Sequence, residues 1–466
     1  MEQLRSTLQE NNQEHLLRFY NDLSVEQKEQ YLCKLQEIDF HKMGQLFQDA
    51  QQSIESEGQL LDTFMEPVSS EQLGSYENCD PTLRESYYNR GLQEISKGTV
   101  AVLIMAGGQG TRLGVSYPKG MYSVDLLSNK SLFQLQAERI QKVQQIANEK
   151  FNGNGKITWY IMTSVPTYEA TQKYLTENNY FNLEKENVVF FKQGLMPCFD
   201  FDGKILMDAK DKLAMAPDGN GGIYQALKIS GILDDFQTRG IQNIHVHSVD
   251  NILTKVADPT FIGYCIEKGS DCAAKVVKKS SPHEAVGVIC KVKDKIQVVE
   301  YSEISQAQAE STNPDGSLIY NAGNICNHFF TADFLRKVAN KDMQVHVAKK
   351  KIPYINDQAE IIKPSTPNGI KVEKFVFDVF QFSSHFVVWE VPRDTEFSAL
   401  KNADSAGKDC PSTARRDLYR LHKKYLEEVK AIVVGDEVEI CPLLSYAGEG
   451  LEQYSGKQIN SPMHLV

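Results

Sequence analysis

The chain has 466 residues, room for about three ordinary domains, and its 41% hydrophobic and 24% charged residues suffice for conventional cores. Lys plus Arg total 50 against 61 Asp plus Glu, a net charge of −11. That sign excludes a general nucleic-acid binder or a protein that coats anionic membranes.

The first 98 residues are Gln- and Glu-rich and are expected to form a helical N-terminal domain. Ser24 and Gln27 make a capping box before Tyr31, Leu32, Leu35 and Ile38, which share one helical face. Residues 53–80 carry scattered Ser, Gly and Pro and read as a wrapping connector. A second helix opens on Asp80 and Pro81 and stops before Gly98.

From Thr99 short buried strands (100–105, 157–162, 188–191 and 244–249) alternate with helical segments. Continuous apolar strands are covered on both faces, so the fold class is α/β, with a mixed, mainly parallel sheet between helices. Strands at 273–277, 286–290, 297–301 and 375–379 suggest an antiparallel addition within a central domain of residues 99–385. Residues 386–466 read as a small α+β domain: a strand at 386–391, a Lys-rich helix at 413–434 and a short β tail. The longest apolar run, 100–106, is far below the about 20 residues of a membrane span. The N-terminus lacks a secretory pattern, and nine scattered cysteines without C-x-x-C suggest reduced thiols. The expectation is a soluble cytoplasmic protein with no membrane or nucleic-acid partner.

The chemistry concentrates in Met105-Ala-Gly-Gly-Gln-Gly-Thr-Arg-Leu-Gly-Val-Ser-Tyr-Pro-Lys119, directly after the first buried strand, where open α/β sheets place their ligands. Gly107, Gly108 and Gly110 let backbone N–H groups approach a phosphate, and Arg112 and Lys119 add two cations. The spacing of Gly108, Gly110 and Gly114 is not a dinucleotide fingerprint. Lys119, between Pro118 and Gly120, is not a P-loop lysine. A structural turn would explain the glycines alone, but not the two cations.

This loop, with Tyr117-Pro-Lys-Gly120, resembles the nucleotidyltransferase loop of sugar-nucleotide pyrophosphorylases. In particular it is similar to the eukaryotic UDP-N-acetylglucosamine pyrophosphorylases, and the similarity runs on through Ser445-Tyr-Ala-Gly-Glu-Gly450. The resemblance implies UTP and N-acetylglucosamine 1-phosphate as substrates, UDP-N-acetylglucosamine and pyrophosphate as products, partial use of N-acetylgalactosamine 1-phosphate, and Mg²⁺ with Mn²⁺ as a substitute. It leaves open a monomer or a homodimer. One departure is the stretch 427–439, shorter than in animal members.

The remaining motifs stand beside that resemblance. Gln193 follows the strand 188–191, and its carboxamide suits the imide edge of uracil, though a turn residue is the plainer reading. The turn Ala216-Pro-Asp-Gly-Asn-Gly-Gly222 opens a helix and could receive an anion or carbonyl, or simply supply positive φ. Asp250 ends the strand 244–249, as a hard-cation ligand or a turn cap. His245 and His247 face elsewhere. The resemblance implies substrate-binding roles for Met105, Ala106, Gly107, Gly108 and Lys119, and places Gln193 and Gly219 on the uridine and Asn220 on the sugar. It assigns Asp250 to metal and nucleotide, and Gly287, Glu300, Tyr301 and Asn324 to a sugar pocket. Lys374 becomes a phosphate ligand and Lys401 a substrate contact. The catalytic cations expected on this resemblance are Arg112, Lys119 and Lys374. Two alternatives stay open: a UDP-glucose or broad UDP-sugar pyrophosphorylase, and an inactive sugar-nucleotide-binding regulator.

Overall fold

The computed structural model describes residues 1–55 and 61–466 and separates into two units. The larger comprises Leu60–Lys192, Tyr224–Lys341 and Val379–Val466; the smaller comprises Met1–Gln59, Gln193–Ile223 and Asp342–Asp378.

An 11-stranded sheet organises the larger unit. Its strands are β1 (Met65–Pro67), β2 (Leu73–Ser75), β3 (Val100–Met105), β4 (Thr158–Thr163), β5 (Val188–Lys192), β6 (Asn243–Ser248), β7 (Cys272–Lys278), β8 (Val288–Val292), β9 (Lys295–Val299), β10 (Ala322–Thr331) and β11 (Phe386–Glu390). They run in the order β2-β11-β7-β10-β6-β3-β4-β5. Strands β6, β3, β4 and β5 are mutually parallel, while β10 lies antiparallel between β6 and β7. The hairpin β8–β9 joins β10 through Val288 and Gly323, and β1 pairs further along the same edge of β8, over Cys290–Val292. Every residue of β3 and β4 is buried, as a sheet covered on both faces requires. The register Met105↔Ser248 and His247↔Asn327 brings the carboxyl ends of β3 and β6 and the first half of β10 to one sheet edge.

The covering helices include α1 (Pro81–Ser96), α2 (Leu132–Phe151), α3 (Val165–Glu177), α4 (Pro259–Glu267) and α5 (Pro411–Glu428). Asp80 caps α1 by accepting from the N–H groups of Thr82 and Leu83. Helices α1 and α4 meet backbone to backbone. A Cβ added at Gly91 would lie 2.0 Å from the Pro259 carbonyl oxygen, and one at Gly263 would lie 1.8 Å from that of Tyr87. Behind them a core containing Trp159, Phe261, Phe329 and Trp389 fills the sheet face.

The smaller unit packs the N-terminal helices onto short strands. The helix Val25–Gln36 has the expected Ser24–Gln27 capping box and buries Tyr31 and Leu35. Its core joins Leu8, Phe40, Phe199, Ile205 and Ile370. A three-stranded sheet pairs Gly369–Glu373 with His346–Lys350 and Phe199–Asp200, and Leu195–Pro197 pairs with Met215–Pro217.

Three sequence expectations change. The strand expected at 375–379 is the 3-10 helix Val376–Phe382, because Asp378 accepts from the Phe375 N–H at 2.9 Å and closes a turn. The strand expected at 297–301 stops at Val299; Glu303 accepts from the Glu300 N–H, so Glu300 and Tyr301 turn away from the ladder. The helix expected at 413–434 ends at Glu428, since Lys430 adopts φ 64° and the β-branched Ile432–Val434 pairs with Gln458–Asn460. The connector expected at 53–80 lies partly outside the described residues; its later part supplies β1 and β2.

Candidate active site

The loop after β3 folds back on itself. Gly110 N–H donates to the Tyr117 carbonyl, and Lys119 N–H donates to that of Gly108. Ser164 Oγ donates to the Gly107 carbonyl at 2.7 Å. In a trans peptide the carbonyl and the next N–H point oppositely. The Gly108 N–H therefore points away from Ser164 and the Gln109 N–H away from the Lys119 backbone, and both residues are exposed. The glycines have steric reasons. A Cβ at Gly110 would lie 2.4 Å from Val115 Cγ2, and Gly114 has φ +83°. Met105 and Ala106 are buried at the strand end, and Ala106 N–H donates to the Met162 carbonyl.

Lys119 reaches across this edge to Asp250, with Nζ 3.6 Å from Oδ2. Gln109, Thr111, Arg112, Lys119, Asp250 and Lys401 line a common cavity of about 230 Å³. Three cations and one carboxylate around so small a space suit a polyanion. The turn that carries Asp250 is fixed from below. Asn251 Nδ2 donates to the Glu396 carbonyl, and its Oδ1 accepts from the N–H groups of Leu253 and Ser398. Leu400 N–H donates to the Asp250 carbonyl. The Asp250 and Lys401 segments therefore form one hydrogen-bonded piece.

Gly287, Glu300 and Asn324, which the sequence expectation puts on a sugar, lie close together in the larger unit. Asn324 N–H donates to the Gly287 carbonyl. Asn324 Oδ1 accepts from the Cys326 N–H at 3.1 Å and from His328 Nε2 at 3.2 Å, which turns its amide NH₂ away from both. A Cβ at Gly287 would meet Val298 Cγ1 at 2.7 Å and Glu300 Oε1 at 2.9 Å. Tyr301 is 56% exposed, at the rim. A bulge in β10 gives Cys326 φ +55°. Its thiol is pushed up to about 12 by burial, with Asp250, Lys401 and Glu300 as its charged neighbours. Cys326 thus lies within electrostatic reach of Asp250, Lys401 and Glu300. Among the described residues no group of three or more His, Cys, Asp and Glu side chains could hold a metal ion. His245 and His247 are buried behind the sheet; burial pulls His247 down to about 4.

In the smaller unit, Gln193, Gly219, Asn220 and Lys374 form a second set. Gln193 is buried. Gly219 has φ +84°, and a Cβ there would lie 2.4 Å from the Lys374 carbonyl oxygen. Asn220 Oδ1 accepts from Val376 N–H at 2.9 Å, so its carboxamide also secures the Lys374 turn. The sequence reading passed over two residues, Asn251 and Asp218. The only local sign of Asp218 is an acid among turn glycines; Asn251 gives none, because its partners lie about 150 residues away in sequence.

Comparison with known proteins completes the description. A family model described as UTP–glucose-1-phosphate uridylyltransferase matches residues 40–438. The UDP-N-acetylhexosamine pyrophosphorylase-like protein 1 of Xenopus tropicalis is 48% identical, with 97% of this chain and 94% of the relative aligned. The UDP-N-acetylglucosamine pyrophosphorylase of Saccharomyces cerevisiae is 43% identical, covering 96% of each. The solved uridine diphosphate N-acetylglucosamine pyrophosphorylase of Trypanosoma brucei, in complex with inhibitor, matches with a TM-score of 0.83 at 32% identity, over 96% of this chain and 93% of that one.

Proposed function

The chain belongs to the UTP–glucose-1-phosphate uridylyltransferase family, and from that membership we propose that it makes UDP-N-acetylglucosamine and pyrophosphate from UTP and N-acetylglucosamine 1-phosphate. The observation that carries this reading is the Lys119–Asp250 pair with Arg112 and Lys401 around one small cavity, at the sheet edge where β3 ends. The reaction suits a site without a protein nucleophile. An oxygen of the sugar phosphate attacks the UTP α-phosphorus; the new P–O bond forms as the bond from that phosphorus to the α,β-bridging oxygen breaks, and pyrophosphate leaves with that oxygen. Catalysis is then positioning and charge neutralisation.

Met105, Ala106, Gly107 and Gly108, with Gln193 and Gly219, receive the uridine and its phosphates. Arg112 and Lys119 steady the triphosphate and the departing pyrophosphate, and Lys374 the reacting phosphates. Lys401 contacts substrate from the segment bonded to the Asp250 turn. The sugar meets Asn220, Gly287, Glu300, Tyr301 and Asn324, with the Asn324 NH₂ as donor. A lone carboxylate fits Mg²⁺ or Mn²⁺, which take one or two protein carboxylates and complete their shell from phosphates and water; Asp250 would hold it. Such an ion, when bound, neutralises phosphate charge. No helix among the described residues is long and apolar enough to cross a membrane; a cytoplasmic location is part of the proposal. The three-part division at 98/99 and 385/386 is retained as a proposal.

The test is pyrophosphate release from UTP and Mg²⁺ across a panel of sugar 1-phosphates. Strong preference for N-acetylglucosamine 1-phosphate, with some N-acetylgalactosamine 1-phosphate use, supports the reading. Equal kcat/KM for glucose 1-phosphate replaces it with a broad UDP-sugar enzyme, and no release with any sugar leaves a binding regulator.

A further inference from the structure

We infer that Asp218 is a positioning residue for Lys374: it joins the Lys374 turn to the Gly194 segment, and its carboxylate sustains the charge of that lysine. This rests on the proposed role of Lys374 at the reacting phosphates. Three sets of observations lead to it.

The first is connectivity. Asp218 N–H donates to the Gly194 carbonyl, Lys374 N–H donates to that of Asp218, and Gly221 N–H donates to that of Lys374. These bonds run through the backbone: they set Asp218 beside Lys374 and persist when its side chain is replaced, so the carboxylate acts on the lysine by charge.

The second is enclosure. The side chain is 6% exposed and glycine backbone surrounds it. A Cβ at Gly194 would lie 2.5 Å from Asp218 Oδ2, and one at Gly222 would lie 2.0 Å from Oδ1. Oδ1 finds no hydrogen-bond donor among the described residues. A buried acceptor without a donor destabilises a fold, so stability does not explain this carboxylate. An apolar or amide side chain of similar size would serve the fold better.

The third is charge. Burial lowers the Lys374 ammonium, and Asp218 is the strongest influence raising it again, with Lys42 lowering and Asp342 raising it. Burial in turn pushes the Asp218 carboxyl up to about 6, against the pull of Lys374. The charged groups facing this pair are thus Lys42 and Asp342, with Glu373 beside Gly219 on the adjoining strand. Above about pH 6 the ionised carboxylate helps Lys374 keep its proton, the state a phosphate requires.

The experiment is Asp218→Asn in the full chain, read as Tm and as kcat/KM for UTP against pH, with Lys374→Ala and the double variant alongside. Expected for Asp218→Asn is an unchanged or higher Tm at pH 7.5, a roughly tenfold to hundredfold loss in kcat/KM, and an alkaline limb displaced to lower pH. The loss should be absent when Asp218→Asn is added to Lys374→Ala, because it acts through that lysine. A kcat/KM within twofold of the wild type, a lowered Tm with an unchanged pH profile, or additive losses in the double variant would each overturn the inference. If Lys374→Ala itself keeps full activity, the assignment of Lys374 fails. If Lys374→Ala is crippled and Asp218→Asn is not, only the present inference fails.

Discussion

Lys119 Nζ stands 3.6 Å from Asp250 Oδ2, a cation from the loop after β3 facing a carboxylate from the turn after β6. Their strands are parallel neighbours with Met105 opposite Ser248, so the pair closes the edge where both strands end. The side chains are 16% and 21% exposed, which leaves both partly open to a ligand. A lysine in that position can exchange its carboxylate partner for a phosphate without moving its backbone.

Lys119→Ala and Arg112→Ala should each lower kcat by about 10²–10³, the usual cost of removing one preorganised electrostatic partner. Asp250→Asn should keep the fold, since Asn251 and Leu400 hold that turn independently of the carboxylate, and should weaken the Mg²⁺ dependence of the rate. Steady-state kinetics over a Mg²⁺ titration checks all three. Near-normal turnover in folded Lys119→Ala would remove the loop from the chemistry.

How much of this was legible in the sequence depends on the range of the interaction. The strands β3 and β6 and the caps at Ser24 and Asp80 rest on local pattern, and each appears where expected. The turn after Lys374 did not, because a single acid, Asp378, outweighs the β-rich run Phe375-Val-Phe. The end of α5 was missed for a similar reason: Lys430 takes positive φ without a glycine to announce it. Asn251 and Glu396 meet 145 positions apart, and no spacing rule reaches that far. The same holds for Lys374 and Asp218, whose pairing depends on two segments more than 150 residues apart folding together.

Gly287 tests the sugar side. A methyl there would press on Val298 Cγ1 at 2.7 Å and on Glu300 Oε1 at 2.9 Å. Gly287→Ala should therefore displace the Glu300 carboxylate, which is flexible, and raise KM for the sugar phosphate with little change in the KM for UTP. Gly287→Leu should penalise N-acetylglucosamine 1-phosphate more than glucose 1-phosphate. Equal penalties for the two sugars would place the acetamido group elsewhere.

Lys275 supports the site from behind the sheet. Its side chain is wholly buried in β7, with Nζ 2.6 Å from Asp258 Oδ2 and 2.9 Å from Glu396 Oε2. Removing Lys275 strands the Asp258 carboxylate, while Glu396 keeps Lys255 Nζ at 3.2 Å; losing one partner of a buried pair costs about 3–5 kcal/mol. Lys275→Met should accordingly lower the urea unfolding midpoint sharply. Lys275→Met with Asp258→Asn should recover part of that loss, because one stranded charge is gone. No recovery in the double variant would mean that the loss comes from packing around the methionine.

The buried imidazoles set an acid limit on stability. Burial pulls His247 down to about 4, His328 and His422 each to about 3, and His245 well below its usual value. His245 Nδ1 accepts from Ala257 N–H, and His422 Nδ1 accepts from Ile440 N–H, so both rings are used as neutral acceptors. In the unfolded chain these groups take protons near pH 6.5. Between that pH and about 4 the unfolded state holds more protons than the folded one. The stabilisation is therefore complete above pH 6.5 and is lost as the pH falls, by about 1.4 kcal/mol per pH unit for each such proton. Asp218 works the other way, since its raised carboxyl gains a proton in the folded state first, but it is one group against four. The urea midpoint should drop steeply between pH 6 and pH 5, before ordinary carboxylates titrate. His422→Asn should flatten that slope by about one proton, even if it lowers the midpoint at pH 7.5. A midpoint unchanged from pH 7 to pH 5 would show that these rings accept protons without unfolding the protein.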